Sequence, residues 1–310
     1  MQPSPKPLTI ALAGNPNAGK TTIFNELTGL RQHVGNYPGV TVEKVTGRCR
    51  RDGVDCEIVD LPGTYSLTAY SVEERVARRF LVDTPPDAVV DIVDASNIER
   101  NLYLAVQLME LGVPLVLALN MSDVARARGI EFDVPKLSSL LGVPIVQTVG
   151  NRRQGLGELL DAALAVARSE DRTAARPVNY GREIEEEIAK IAAIIQAQAA
   201  PPAQAGPGRA AAGALAPRWL AIKLLENDSE VRELIRSPEV LRQVEASERH
   251  LHGIFGETAE LAIAGRRYAL ISGACQEAVR STVEARHTLS DRIDTVLTHP
   301  VAGVPIFLGM

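Results

Sequence analysis

The sequence predicts an α/β fold with a mostly parallel, doubly wound sheet, followed by an all-α region. Three observations carry this. Apolar runs of strand length alternate with amphipathic helical stretches up to about residue 169. A glycine-rich loop sits between the first such strand and the first helix. Beyond about residue 175 the strand patterns stop and only helical ones continue.

Leu8 to Ala13 reads as a buried strand and Thr22 to Leu27 as a helix. Between them Gly14-Asn15-Pro16-Asn17-Ala18-Gly19-Lys20-Thr21 fits G-x-x-x-x-G-K-[ST], the phosphate-cradling P-loop in the context the motif requires. Backbone N–H groups and the positive helix end would hold the phosphates. Lys20 would reach the β/γ-phosphates, the Thr21 hydroxyl would ligate Mg²⁺, and Thr22 would lie beside them. Next comes Gly35-Asn36-Tyr37-Pro38-Gly39-Val40-Thr41, the natural first switch. Gly39 and Val40 would line the nucleotide, and the Thr41 hydroxyl would complete the Mg²⁺ shell when a γ-phosphate is present. Arg48, Arg50 and Arg51 lie by a hairpin turn at Asp52-Gly53 and read as a solvated edge strand.

Cys56 to Val59 is the next strand, and Asp60-Leu61-Pro62-Gly63 ends it as D-x-x-G. Asp60 would hold Mg²⁺ through a water, and the Gly63 N–H would meet the γ-phosphate. Many GTPases place Gln directly after this motif to orient the attacking water. Here Thr64 stands there and is too short, so intrinsic turnover should be slow with no side-chain base. Ser71 to Leu81 and Asn101 to Leu111 read as amphipathic helices. Val113 to Leu119 is a strand whose carboxyl end carries Asn120-Met121-Ser122-Asp123, where open α/β sheets bind ligands. This resembles the N-K-x-D element of GTPases. Asp123 would accept two hydrogen bonds from guanine, and Met121, standing where Lys is usual, would cover the base face. Pro135 to Leu141 is a helix, Val143 to Gln147 a strand and Leu156 to Arg168 a helix. Between the last two, backbone groups of Thr148, Val149 and Gly150 stand where GTPases usually place Ser-Ala against the base.

The all-α region starts with Glu183 to Gln198, striped by Ile184, Ile188, Ile191 and Ile195. Residues 199–217 are rich in Ala, Pro and Gly and read as a mobile loop. Helical patterns resume at Arg218 to Glu226, Ser229 to Ile235, Pro238 to Phe255, Glu257 to Ser281 and Ser290 to Leu297, with no strand signal. The expected division is 1–172 for the nucleotide-binding domain and 173–300 for the helical one. The apolar stretch 301–310 is expected to open a membrane segment, needing about ten more apolar residues to span a bilayer.

Composition excludes several classes. The chain has 310 residues and a net charge of −5, which argues against a dedicated nucleic-acid binder. Three cysteines, Cys49, Cys56 and Cys275, make neither a disulfide framework nor C-x-x-C and suit a reducing cytosol. Cys49 and Cys56 flank the hairpin and are expected near each other. His250 and His252 lie two apart in a helical stretch and point in different directions, as surface residues do. No secretory signal precedes Leu8.

The chain resembles the cytosolic N-terminal region of the FeoB ferrous-iron transporter family. The residues that carry the likeness are Gly14 to Thr21, Val34 to Glu43, Asp60 to Ser66 and Asn120 to Asp123, with Trp219 to Glu226 in the helical half. Asp291 to Asp294 and Pro305 to Phe307 add to it at the end. The Met of the guanine motif is usual in that family, whereas Thr148 to Gly155 and the Ala/Pro-rich stretch depart from its pattern. The resemblance implies a P-loop GTPase domain, a helical domain that favours GDP retention, and a membrane domain missing from this fragment. It places the fragment on the cytoplasmic face of the bacterial inner membrane, with GTP and GDP as ligands, a homo-oligomer as an option and no nucleic acid. Related GTPases lacking the Gln use an Asn at the place of Asn17, with first-switch carbonyls near Gly35 and Asn36, to hold K⁺. A soluble ribosome- or tRNA-associated GTPase is the alternative reading; its basic RNA-binding module has no counterpart in residues 183–298, where Glu183, Glu185, Glu186 and Glu187 cluster.

Overall fold

The apolar strands form one sheet because each offers β-branched or small apolar residues to both faces. β1 (Leu8–Gly14), β4 (Val54–Asp60), β5 (Ala88–Asp94), β6 (Leu115–Asn120) and β8 (Ile145–Gln147) run parallel. β2 (Gln32–Asn36) and β3 (Glu43–Arg51) extend them antiparallel, in the order β2-β3-β4-β1-β5-β6-β8. This computed structural model describes residues 7–29, 32–37, 40–68, 70–169, 178–198 and 216–281. Alternation along the central strands sorts their side chains. Ile10, Leu12, Val90, Ile92 and Val116 face α1 (Lys20–Thr28) and α6 (Leu156–Arg168). Ala11, Ala13, Val89, Val93 and Leu117 face α2 (Val72–Asp83) and α3 (Ile98–Leu111). One position on the core strand β5 is acidic. Asp91 is wholly buried with Oδ2 unpartnered, and burial pushes its carboxyl up to about 7, so its neutral form needs no counter-charge.

Helix ends follow their caps. Ser71 accepts from the Glu74 N–H while Glu74 reaches back to the Ser71 N–H, so α2 begins at Val72 on a capping box. Asp133 caps α5 (Val134–Leu141), and α4 (Ser122–Ala127) precedes it.

The helical half holds α7 (Arg182–Gln198), α8 (Pro217–Leu225), α9 (Ser229–Leu234), α10 (Pro238–Phe255) and α11 (Ala259–Ala278). The stripe Ile184, Ile188, Ile191 and Ile195 is buried, with α7 packed on α8 and α10. The loop expected over 199–217 stops short at its far end: α8 starts at Pro217, whose fixed φ suits the first helical position. Residues 199–215, the helix expected over 290–297 and the apolar stretch 301–310 lie outside the described residues. No helix among the described residues is long and apolar enough to cross a membrane.

The expectation of no strand in this half is corrected. The helix read over 257–281 ends at Ala278, and Val279–Ser281 forms β9, antiparallel to β7 (Ile130–Phe132). The β-branched Val279 follows a helix end whose Val279 backbone is already extended, which favours the change. The hairpin at Asp52-Gly53 forms as expected, with Arg51 opposite Val54 and positive φ at both turn residues. β3 is not the sheet edge along its whole length, because β2 covers it from Glu43 to Gly47; Arg48 to Arg51 run past β2. There Arg51 forms a forked pair with Asp161 of α6, at 2.8 Å for both bonds.

α11 lies across α3 and α5, so one hydrophobic core runs through both halves. A buried ionic network sits in this junction. Arg267 on α11 is fully buried and donates from Nε and Nη2 to Glu110 of α3, at 2.6 and 2.7 Å. Its Nη1 donates to Glu226, which also accepts from Lys223 Nζ at 2.7 Å. The Tyr180 hydroxyl donates to Glu110. A second junction lies on α2. Buried Arg78 donates to Asp228 and, at 2.6 Å, to Glu230, lies over the Trp219 ring, and reaches the Leu67 carbonyl at 3.5 Å.

Candidate functional site

The glycine-rich loop leaves β1 at Gly14 and enters α1 at Lys20. Gly19 has φ +91°, and a Cβ there would lie 2.3 Å from Asn120 Nδ2. Only glycine allows this turn and this close approach. Asn17 also has positive φ, +67°, a conformation Asn tolerates. The loop closes on itself through the Ala18 N–H donating to the Asn15 carbonyl at 3.2 Å. Asn15 is buried, yet neither its Nδ2 nor its Oδ1 has a protein partner. A buried amide left so costs roughly 1–3 kcal/mol, and a polar ligand in the loop removes that cost.

Lys20 Nζ pairs with Asp60, joining the loop to the end of β4. Burial raises the Asp60 carboxyl, and the Lys20 charge opposes that rise. Gly63 lies beside Pro16, so the D-x-x-G turn abuts the loop as expected. The oxygen donors Thr21 and Asp60 fit Mg²⁺, a hard cation that prefers carboxylate and hydroxyl oxygen. Thr22 is exposed on the first turn of α1.

Asn120 ties the guanine motif to two other segments. Its Nδ2 donates to the Ala18 carbonyl at 2.9 Å, and its Oδ1 accepts from the Gly150 N–H at 3.0 Å and the Thr148 hydroxyl at 3.3 Å. Thr148 and Gly150 are therefore tied to the Asn120 segment, although the residue types over 148–150 differ from the usual pattern. Met121 has φ +58°, which brings its methyl within 3.6 Å of the position a Gly19 Cβ would take. Asp123 lies in the first turn of α4 and accepts from the Val124 N–H at 3.0 Å.

The first-switch segment is held in strand pairing. β2 and β3 form a hairpin whose end is closed by the Tyr37 N–H donating to the Val42 carbonyl at 3.0 Å, and Val40 lies inside that turn. Thr41 is exposed at this tip. It sits four residues beyond Val45, the register partner of Asp60, or roughly 13 Å along the strand. The structure therefore does not bring Thr41 to Asp60, because strand pairing carries it outward. Gly35 and Asn36 are strand residues in register with Lys44 and Glu43. Gly39 lies outside the described residues.

Three residues that sequence reasoning passed over belong to this neighbourhood. Tyr37 is buried, donates from its hydroxyl to the Asp60 carbonyl at 3.2 Å, and meets Phe80 of α2 edge-on at 6.1 Å between ring centres. Burial, then the Asp60 charge, raises its hydroxyl far above the usual tyrosine range, so it stays a donor. Its one signal was an aromatic residue within a polar segment. Arg152 comes within 3.7 Å of Asp123, and nothing in the sequence marks it. Arg78 is the third; a lone Arg on an amphipathic helix reads as surface.

Thr64 is buried and donates from its hydroxyl to the Ser66 carbonyl at 2.6 Å. It braces the turn and does not point a base at a water. Thr64→Ala should accordingly change GTP turnover by well under the 10²–10⁴-fold typical of losing a positioned acid–base group. Turnover and nucleotide affinity measured side by side check this; abolished turnover with intact binding refutes it.

Two family models match the chain. Ferrous iron transport protein B matches residues 8–163, and the FeoB cytosolic helical domain matches residues 180–280. The Fe(2+) transport protein A/Fe(2+) transporter FeoB fusion protein of Porphyromonas gingivalis is 42% identical, over 99% of this chain and 36% of its own length. The Fe(2+) transporter FeoB of Salmonella typhimurium is 38% identical, over 98% of this chain and 37% of its own. The chain thus spans little more than a third of these relatives. Among solved structures, a GDP-bound S. thermophilus NFeoB mutant is similar at TM-score 0.77 and 40% identity, covering 88% of this chain and all of that one. The cytosolic domain of the T. maritima FeoB iron transporter in its GMPPNP form gives TM-score 0.74 and 32% identity, covering 88% of this chain and all of that one.

Proposed function

The chain belongs to the FeoB ferrous-iron transport family, and from that premise we propose that it is the GTP-binding, slowly hydrolysing regulatory part of a ferrous-iron membrane transporter, at the cytoplasmic face of the bacterial inner membrane. The observation that carries the nucleotide reading is the convergence on one loop of Lys20, Asp60, Gly63 and Asn120, around an Asn15 side chain with no protein partner. GTP and GDP are the ligands, bound with Mg²⁺ at Thr21 and Asp60. Thr41 joins that shell only when the first switch leaves its strand pairing, which gives hydrolysis a conformational signal. The bound Mg²⁺ supplies charge neutralisation on the phosphates. The membrane domain, as in the longer relatives, would supply the path for iron, and this fragment would bias it. Family membership speaks against the ribosome- or tRNA-associated reading.

Charge at the transferring phosphoryl is the remaining need, since Thr64 stands where many GTPases place Gln. Asn17 is exposed on the loop and carries an amide oxygen suited to K⁺. GTP turnover should rise in K⁺ over Na⁺, and Asn17→Ala should remove that difference. Steady-state phosphate release in matched salts checks it; equal rates for the native protein count against a K⁺ site.

Regulation would pass through α2. Arg78 ties the segment after Gly63 to Asp228 and Glu230 of the helical half. A change in the second switch therefore has a direct charged contact through which to act on the helices, and reciprocally. Arg78→Gln should alter the GDP release rate by roughly 5- to 150-fold, the span of ordinary coupling energies. Stopped-flow release of a fluorescent GDP measures it, and an unchanged rate leaves the helical half as a spacer.

A further inference from the structure

Cys49 and Cys56 sit opposite one another on β3 and β4. The two-residue turn Asp52-Gly53 fixes this register. Its closing pair, Arg51 and Val54, is hydrogen-bonded, and pairs alternate along an antiparallel ladder. Cys49 and Cys56 are therefore again a hydrogen-bonded pair, with Cα atoms about 5.5 Å apart. That lies within the roughly 4.4–6.8 Å that disulfides span. Both side chains leave the same face of the hairpin, where Cys56 Sγ also reaches the Val54 carbonyl at 3.9 Å.

The two sulfurs differ in access. Cys56 is buried under α6, whereas Cys49 is half-buried. Burial, with the neighbouring Cys56, pushes the Cys49 thiol up to about 12, and burial raises Cys56 as well. The pair is therefore sluggish toward mild reagents and rests as two thiols. The third cysteine, Cys275, is buried on α11, in the helical half.

We propose that Cys49 and Cys56 are an oxidisable pair that closes to a cross-strand disulfide when the reachable sulfur meets a hydroperoxide. In the first step the Cys49 sulfur attacks the peroxide oxygen, the O–O bond breaks, and the products are Cys49 sulfenic acid and an alcohol or water. In the second the Cys56 sulfur attacks the Cys49 sulfur, the S–O bond breaks, and water leaves with the Cys56 proton. The two thiols lose two electrons in all, and the hydroperoxide takes them. The closed pair pins β3 to β4, and so holds the strand that starts near Thr41 in fixed register with the strand that ends in Asp60.

The test uses the full chain treated with hydrogen peroxide, quenched, unfolded, alkylated with N-ethylmaleimide and mapped by mass spectrometry. The expected product is monomeric, lighter by two hydrogens, alkylated only at Cys275, and returned to three alkylated cysteines by dithiothreitol. Its melting temperature should rise on the order of 5 °C, from the loop closed by the bond. Cys49→Ser and Cys56→Ser should each show no such rise under the same treatment. Alkylation of Cys49 and Cys56 after oxidation, a disulfide that includes Cys275, or over-oxidised Cys49 beside a free Cys56 would each overturn the proposal.

Discussion

Asp123→Asn should bind GTP roughly 30- to 700-fold more weakly than the native protein and gain affinity for xanthosine triphosphate. Only a carboxylate can accept from both the N1–H and the exocyclic amine of guanine. Losing one such charged contact costs about 2–4 kcal/mol, and each 1.4 kcal/mol is tenfold in affinity. The substituted amide offers one acceptor and one donor, which suits xanthine. Asp123 sits in the first turn of α4, where it accepts from the Val124 N–H, with Arg152 on its other oxygen. The side chain is 28% exposed and makes no core contact that the fold depends on, so the variant should fold normally. Titration of labelled GTP, xanthosine triphosphate and ATP decides it. Equal native affinity for ATP and GTP would remove Asp123 as the reader of the base.

Arg267→Ala should be the most destabilising single substitution in the junction, at about 3–5 kcal/mol. The loss is larger than for a surface pair because the arginine is fully buried, and its removal takes both guanidinium bonds from Glu110 and leaves Glu226 paired with Lys223 alone. Burial alone would raise Glu226, but the Lys223 and Arg267 charges outweigh it and hold its carboxyl at about 2. A depressed folded value contributes stability above the unfolded value near 4.3, and that contribution is lost as pH falls through 2. The native and Arg267→Ala melting temperatures should thus differ by roughly 10 °C at pH 7 and converge as pH approaches 2. Circular-dichroism melts at both ends of that range check it. A difference that persists unchanged into acid would show that lost packing, not charge, dominates.

What the sequence disclosed and what it hid divide by distance along the chain. The P-loop, D-x-x-G and N-x-x-D segments were legible because each is a strand end plus a short turn, and the parallel strands β4, β1 and β6 bring those ends to one edge of the sheet. The Ile184 to Ile195 stripe was legible for the same local reason. Arg267 and Glu110 meet only because α11 crosses α3, and no periodicity in either helix announces a buried arginine. β2 escaped notice because all its residues are exposed, so no alternation marks it. Its pairing with β3 is also what moves Thr41 away from Asp60. β7 and β9 are three residues each and far apart in sequence, below the length at which a strand pattern can be read.

That small pairing changes the load path through the molecule. β9 lies on β7, which follows α4 and therefore the turn that carries Asp123. The helical half is thus an excursion: the chain leaves the nucleotide-binding half after α6 and comes back to it at Val279, on a separate two-stranded ladder with β7. Ser281 ends on the strand that follows α4, not at the far end of the helices. A pull on the chain at that point is borne first by three rungs of antiparallel ladder on Ile130 to Phe132. Tension from there would reach the base pocket across α4 without first travelling through the α7–α10 bundle. The β7–β9 ladder and the Arg78 contact thus join the helical half to the sheet half at two separate places, one next to α4 and one on α2.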